Sequence, residues 1–148
     1  MRILRLILGD QLNQSHSWFN KQDDDILYVL MEIKQETNYV LHHAQKIIAI
    51  FAAMRNFKED LLKKNYHVIY LKIGDPANQQ SFKSNLKSII SKHHIQKFEY
   101  QEPDEFRLDQ DLKDFCNSIH IPHECVSSEH FFTERNEVKN LFKDKKQW

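Results

Sequence analysis

Five side chains able to take part in chemistry fall at helical spacing near the first third of the chain: Glu36, Tyr39, His42, His43 and Lys46. Residues three and four apart share a helix face, so Tyr39, His42, His43 and Lys46 form one polar-aromatic patch. Such a patch suits a flat, polar ligand. Tyr39 can stack on a ring or line the edge of a core. Glu36 can accept hydrogen bonds from ligand N–H or hydroxyl groups, or can simply complement the positive end of a helix dipole. The residues leave both readings open. His42-His43 does not make a metal site, because adjacent helical residues point about 100° apart and no third ligand is in sight. Lys46 reads as a solvated lysine.

Two further stretches can reach the same place. Gly9-Asp10, in LILGDQL, ends a first apolar run. The glycine allows close backbone approach, while the aspartate can receive a ligand or cap a short helix. There is no Gly-x-Gly-x-x-Gly and no Walker loop, so a ligand without phosphates, or one held by side chains, fits better. Glu102 to Arg107 follows a later apolar run; there it lines a crevice or faces solvent. No Ser-His-Asp or Cys-His arrangement can be assigned. That argues against a small nucleotide-binding enzyme.

The elements that must position these residues are alternating strands and helices. Residues 3–8 read as a central parallel strand, apolar on both faces, and 26–33 as a second. A short helix is expected over 15–20, after which 21–25 is a charged turn. The helix carrying the patch is expected over 38–64, on the order of 40 Å long. Its later turns carry Ile47, Ile50, Phe51, Met54 and Phe57 as a packing stripe. Asn65 is its expected stop, since Asn tolerates a left-handed cap. Strands over 67–73, 95–101 and 121–126 follow. Pro122 puts the last one at an edge. Between them lie helices carrying Phe82, Leu86, Ile89 and Ile90, and then Leu108, Leu112, Phe115 and Ile119. This alternation predicts an α/β fold with a parallel sheet and helices on both faces. Strand ends in such a sheet are where ligands bind.

Bulk properties agree. The 148 residues suggest one domain spanning 1–148. The chain has 21 basic and 21 acidic residues, so charge gives no whole-domain reason to bind nucleic acid. No run is long enough to span a membrane. The apolar N-terminus ends in Gly-Asp-Gln and reads as a buried strand, not a signal peptide. Cys116 and Cys125 lack CxxC spacing and read as buried thiols of a cytoplasmic protein. The lysines of the tail, Lys139, Lys143, Lys145 and Lys146, read as a solvated helix face.

LILGDQL, the segment MEIKQETNYVLHHAQKIIAIFAAMRNF, QEPDEFR and ERNEVKNLF together resemble the prokaryotic photolyase-related proteins. These are the iron–sulfur branch of the photolyase/cryptochrome family. The resemblance covers essentially the whole chain. It implies a Rossmann-like three-layer sandwich whose five-stranded sheet has the order 3-2-1-4-5. It also implies an antenna chromophore, 6,7-dimethyl-8-ribityllumazine, contacted by Gly9, Asp10, Glu32, Glu36, Tyr39 and His43. FAD and the iron–sulfur cluster belong to a helical domain absent from this chain, and DNA is engaged only through the full-length protein. The chain alone is therefore expected to be an antenna module without repair activity. The competing expectation is a ligand-free α/β module that docks on a helical partner domain.

Overall fold

The computed structural model describes residues 1–34, 44–141 and 143. Five strands form one sheet in the order β3-β2-β1-β4-β5. They are β1 (Ile3–Leu6), β2 (Ile26–Met31), β3 (His67–Leu71), β4 (Lys97–Gln101) and β5 (His123–Val126). Every pairing is parallel, and β1 is central as its apolar faces predict. Each strand is shorter than its apolar run. Ile7 and Leu8 remain buried beyond β1, and Ile7 still donates to the Val29 carbonyl at 3.0 Å. Apolar sequence reports burial, whereas a strand ends where its ladder of bonds ends.

Helices α1 (Ala44–Lys63), α2 (Phe82–Lys92), α3 (Phe106–Asn117) and α4 (Arg135–Leu141) complete the described elements. One core lies on the α2/α3 face, where Leu4, Leu6, Val29 and Phe98 meet Leu86, Ile89, Leu112 and Phe115. The other lies on the α1 face, where Ile7, Tyr28 and Leu30 meet Met54, Phe57 and Leu61. The sheet is thus covered on both sides, as a parallel sheet requires. Asn65 ends α1 with φ of 62°, and Tyr66 N–H reaches back to the Leu61 carbonyl at 3.0 Å. This is the left-handed cap expected of Asn. Glu105 caps α3 by accepting from the Arg107 and Leu108 amides at 3.0 and 2.9 Å. Pro122 precedes the edge strand β5, and its carbonyl accepts from Phe98 N–H at 2.9 Å.

The short helix expected over 15–20 is a single 3-10 turn, Ser17–Phe19, and its cap is His16, whose ring accepts from Trp18 N–H at 3.1 Å. Asp10 is therefore not a helix cap. The expectation of two buried thiols holds only for Cys116, since Cys125 is exposed. Among the described residues, no helix is long and apolar enough to cross a membrane.

Candidate ligand crevice

Because β1 lies between β2 and β4, the loops after β1, β2 and β4 leave the sheet at one edge. Chain order reverses between β1 and β4, and open α/β sheets bind ligands outside such a reversal. Gln11 bridges it. Its side-chain amide donates to the Gln101 and Glu102 carbonyls at 3.3 and 3.1 Å, while its oxygen accepts from Leu8 N–H at 3.1 Å. The side chain is buried, and it holds the loops after β1 and β4 at a fixed separation.

The predicted site residues are distributed around this edge. Gly9 faces α1. A Cβ added there would come 3.1 Å from Ile50 Cγ2 and 3.2 Å from Met54 Sδ, so its missing side chain lets α1 approach the end of β1. Asp10 stands exposed in the following turn. Its carboxylate makes no hydrogen bond to another described side chain. Although it keeps solvent contact, crowding by the surrounding loops raises its pKa. Its own backbone amide opposes this, Asp104 adds to it, and His130 opposes it.

Glu32 is fully buried just past β2. It accepts from Arg55 Nε and Nη2 at 2.7 and 2.9 Å, from Tyr70 Oη at 2.7 Å and from Ile73 N–H at 2.9 Å. Burial pushes its pKa up, but the bonds from Arg55, Ile73 and Tyr70 more than offset this and leave it lowered. Tyr70 moves the opposite way, raised by burial and by its bond to the carboxylate. Every lone-pair direction of Glu32 is thus used within the protein, and what faces solvent is Arg55, whose side chain is 46% exposed. Glu36, Tyr39 and His43, together with His42, lie outside the described residues, as do Lys145 and Lys146. Lys46 is exposed, as a solvated lysine should be.

On the β4–β5 side the edge opens into a cleft of about 350 Å³, lined by Glu102, Asp104, Ser127, Ser128, Phe131, Thr133, Glu134 and Arg135. The acidic loop after β4 therefore lines a crevice. His130 Nδ1 lies 3.7 Å from Asp104 Oδ2. Arg135 donates to the Pro103 carbonyl at 2.6 Å and to Asp109 Oδ2 at 3.2 Å. Of the lining residues, Ser127 is held by His16, whose Nε2 lies 2.9 Å from its carbonyl, and nearby Glu129 accepts from Ser17 N–H at 3.1 Å. Sequence reasoning missed His130, Arg135 and the Arg55–Tyr70 support of Glu32. Residues 127–135 carry no periodicity that marks them. Arg55 sits on the helix whose apolar stripe was the stronger signal.

The donor set excludes one cofactor from this chain. An iron–sulfur cluster of the usual kind takes four thiolates, and the chain has two cysteines. Burial pushes the Cys116 thiol up to about 11, away from the thiolate form that ligates metal. Among the described residues no group of three His, Cys, Asp or Glu side chains could hold a metal ion.

An open, all-parallel α/β sheet with helices on both faces, a crevice at the carboxyl ends of its strands and no phosphate loop belongs among Rossmann-like α/β domains. Comparison with known sequences narrows the class. The profile of the deoxyribodipyrimidine photo-lyase-related protein family matches residues 5–148, and the chain belongs to that family. The (6-4) photolyase of Agrobacterium fabrum (strain C58 / ATCC 33970) is 36% identical over 143 residues, which cover 95% of this chain and 28% of that protein. The chain therefore spans a little over a quarter of that relative's length and corresponds to its N-terminal part.

Proposed function

We propose that this chain is the antenna-chromophore domain of a photolyase-related protein, and that its ligand is 6,7-dimethyl-8-ribityllumazine. The observation that supports the reading most is the parallel pairing of β1 with β2. It brings the loop of Gly9 and Asp10 to the edge where Glu32 leaves β2 and the chain runs on towards Glu36, Tyr39 and His43. A lumazine is flat and rich in N–H, carbonyl and hydroxyl groups. Asp10 offers it a solvent-facing acceptor, Glu36 a second, Tyr39 a ring to stack on and His43 a polar edge. Glu32 acts through Arg55, which it holds at the rim. Gly9 contributes by letting α1 close against β1. FAD, the iron–sulfur cluster and contact with DNA belong to the helical domain of the longer family protein, which repairs UV photoproducts using light.

Titration of the purified protein with the lumazine tests this reading. Glu36→Ala is expected to fold normally and to bind roughly 10- to 100-fold more weakly, the loss of one charge-assisted bond of about 1.5–3 kcal/mol. The exposed control Lys87→Ala should bind like the parent. Equal affinity for all three proteins would leave Glu36 as a helix-start carboxylate and misplace the site.

A second role has its own observation. Phe106, Phe131 and Phe132 are exposed, Phe132 fully so, and large side chains of this kind on a surface suit docking. The same domain then packs on a helical partner, and a chain that docks but shows no absorption shift with the lumazine would favour this role alone.

A further inference from the structure

We propose that Cys116 and Cys125 are a disulfide-forming pair, closed by a small-molecule disulfide, that staples the last turn of α3 to the edge strand β5. The pair belongs to the packed α2/α3 face of the sheet, and the inference does not rest on the antenna reading.

Strand register brings the two thiols to one face. Cys125 of β5 is the partner of Tyr100 of β4 in a parallel pair, and laterally paired residues point to the same side of a sheet. Tyr100 is buried on the α2/α3 side, in one cluster with Phe115 and Cys116. The Cys125 side chain is therefore turned towards the helix that carries Cys116. The Tyr100 hydroxyl ties the two together, since it favours the thiolate of each by donating to it. One hydroxyl within reach of both sulfurs keeps the sulfurs near each other.

Both cysteines sit on elements that can yield. A disulfide needs its Cα atoms within about 7 Å. Cys116 lies in the last turn of α3. There the Ser118 and Ile119 N–H groups bond three residues back, to the Phe115 and Cys116 carbonyls, at 2.9 and 3.4 Å, the tighter pattern of a helix end. Among the described residues, β5 is paired with β4 alone. It can shift towards the helix without breaking a second ladder.

Exposure sets the order of reaction, because Cys125 is exposed and Cys116 buried. The Cys125 thiolate attacks one sulfur of the reagent and the reagent S–S bond breaks. One reagent thiol leaves with the proton that Cys125 gave up. The Cys116 thiolate then attacks the Cys125 sulfur, and the second reagent thiol leaves with the Cys116 proton. Two electrons pass from the protein sulfurs to the reagent. Neither thiol ionises readily. Partial burial raises the Cys125 pKa; the Tyr100 hydroxyl opposes this, Glu102 and Asp109 add to it, and Arg135 opposes it. Burial pushes Cys116 up to about 11, with Cys125 adding to the rise and Tyr100 opposing it. The thiolate is the nucleophile, so closure is slow at neutral pH and quickens as pH rises. β5 leads directly into Ser127 and Ser128 of the cleft lining, so the staple steadies that wall.

The test incubates the reduced chain with oxidised glutathione at mildly alkaline pH. Remaining thiols are then alkylated under denaturing conditions, and the protein is weighed by mass spectrometry. The parent should end as a monomer with neither thiol alkylated and no glutathione retained, and should melt a few degrees above its reduced form. Cys116→Ala should instead retain glutathione on Cys125. Cys125→Ala should react at least about tenfold more slowly than the parent, because its one thiol is buried. Melting of the reduced variants checks that they fold. If the parent keeps both thiols, retains glutathione or crosslinks between chains, the pair is refuted. Glutathione captured by Cys125→Ala as fast as the parent reacts would overturn the order of attack.

Discussion

Arg55 and Glu32 are paired across a sharp difference in exposure, and that difference sets what each substitution does. Glu32 is 0% exposed and Arg55 46%. Removing the glutamate returns the arginine to water but leaves Tyr70 Oη and the Ile73 amide without their acceptor. Removing the arginine strands a buried carboxylate with only Tyr70 and the Ile73 amide. Breaking a pair buried on both sides costs about 3–5 kcal/mol. With one partner half in water we expect Arg55→Met, which keeps the apolar stem, to cost about 2 kcal/mol at neutral pH. The pH dependence follows from the direction of the shifts. In the parent Glu32 sits below its ordinary value of 4.5, so its contribution is present above that pH and is lost as pH falls through the lowered folded value. In the variant both lowering contributions of Arg55 are gone while the Ile73 and Tyr70 bonds remain, so the folded pKa moves up and the stability that Glu32 contributes above its ordinary value shrinks. The stability gap between the two proteins should therefore narrow as pH is lowered below about 4.5. Urea unfolding at neutral and acid pH measures it, and a gap independent of pH would show that Arg55 contributes only packing.

At the level of the element, helix α1 shows what local sequence can and cannot convey. Its apolar stripe was readable from Ile47, Ile50, Phe51, Met54 and Phe57 at helical spacing, of which Met54 and Phe57 are buried and Ile47 and Phe51 half-buried, while Ile50 stays exposed at the end nearest Gly9. So was its stop at Asn65, because few residues tolerate positive φ. The reason for Gly9 was not readable. Nothing within LILGDQL tells whether a glycine serves a ligand, a turn or a neighbouring helix, since the neighbour lies some forty residues further along the chain. The structure supplies the helix as the neighbour, with Ile50 and Met54 occupying the space a methyl would need. Gly9→Ala should then cost about 1 kcal/mol, at the low end of overpacking penalties because Met54 is flexible. Chemical unfolding gives the value. Gly9→Ala with Met54→Ala should recover part of the loss if the contact is the cause. An additive pair would point to backbone conformation instead.

Across the whole molecule, the sheet order and the covering of both faces were accessible from strand-helix alternation together with family resemblance. The crevice was accessible only in part. Asp10 and the acidic loop after β4 could be placed at strand ends, but Arg135 enters the crevice and His130 comes beside Asp104 from a segment without periodicity, and only the folded chain brings them there. The same scale bounds activity. Light-driven repair needs a redox cofactor to deliver an electron, and that chemistry is the cofactor's own. The family resemblance assigns FAD to the helical domain, and two cysteines cannot hold a four-thiolate cluster. Nor does the charge balance, 21 basic against 21 acidic residues, give a broad surface for phosphate backbones. We therefore expect this chain, loaded with the lumazine and illuminated, to leave a photoproduct-containing oligonucleotide unrepaired, while a full-length relative assayed in parallel restores it. Chromatography of the illuminated oligonucleotide reads the outcome directly. Restoration of intact bases by this chain alone would mean that a redox centre lies within these 148 residues and that the division of labour between antenna and repair is drawn in the wrong place.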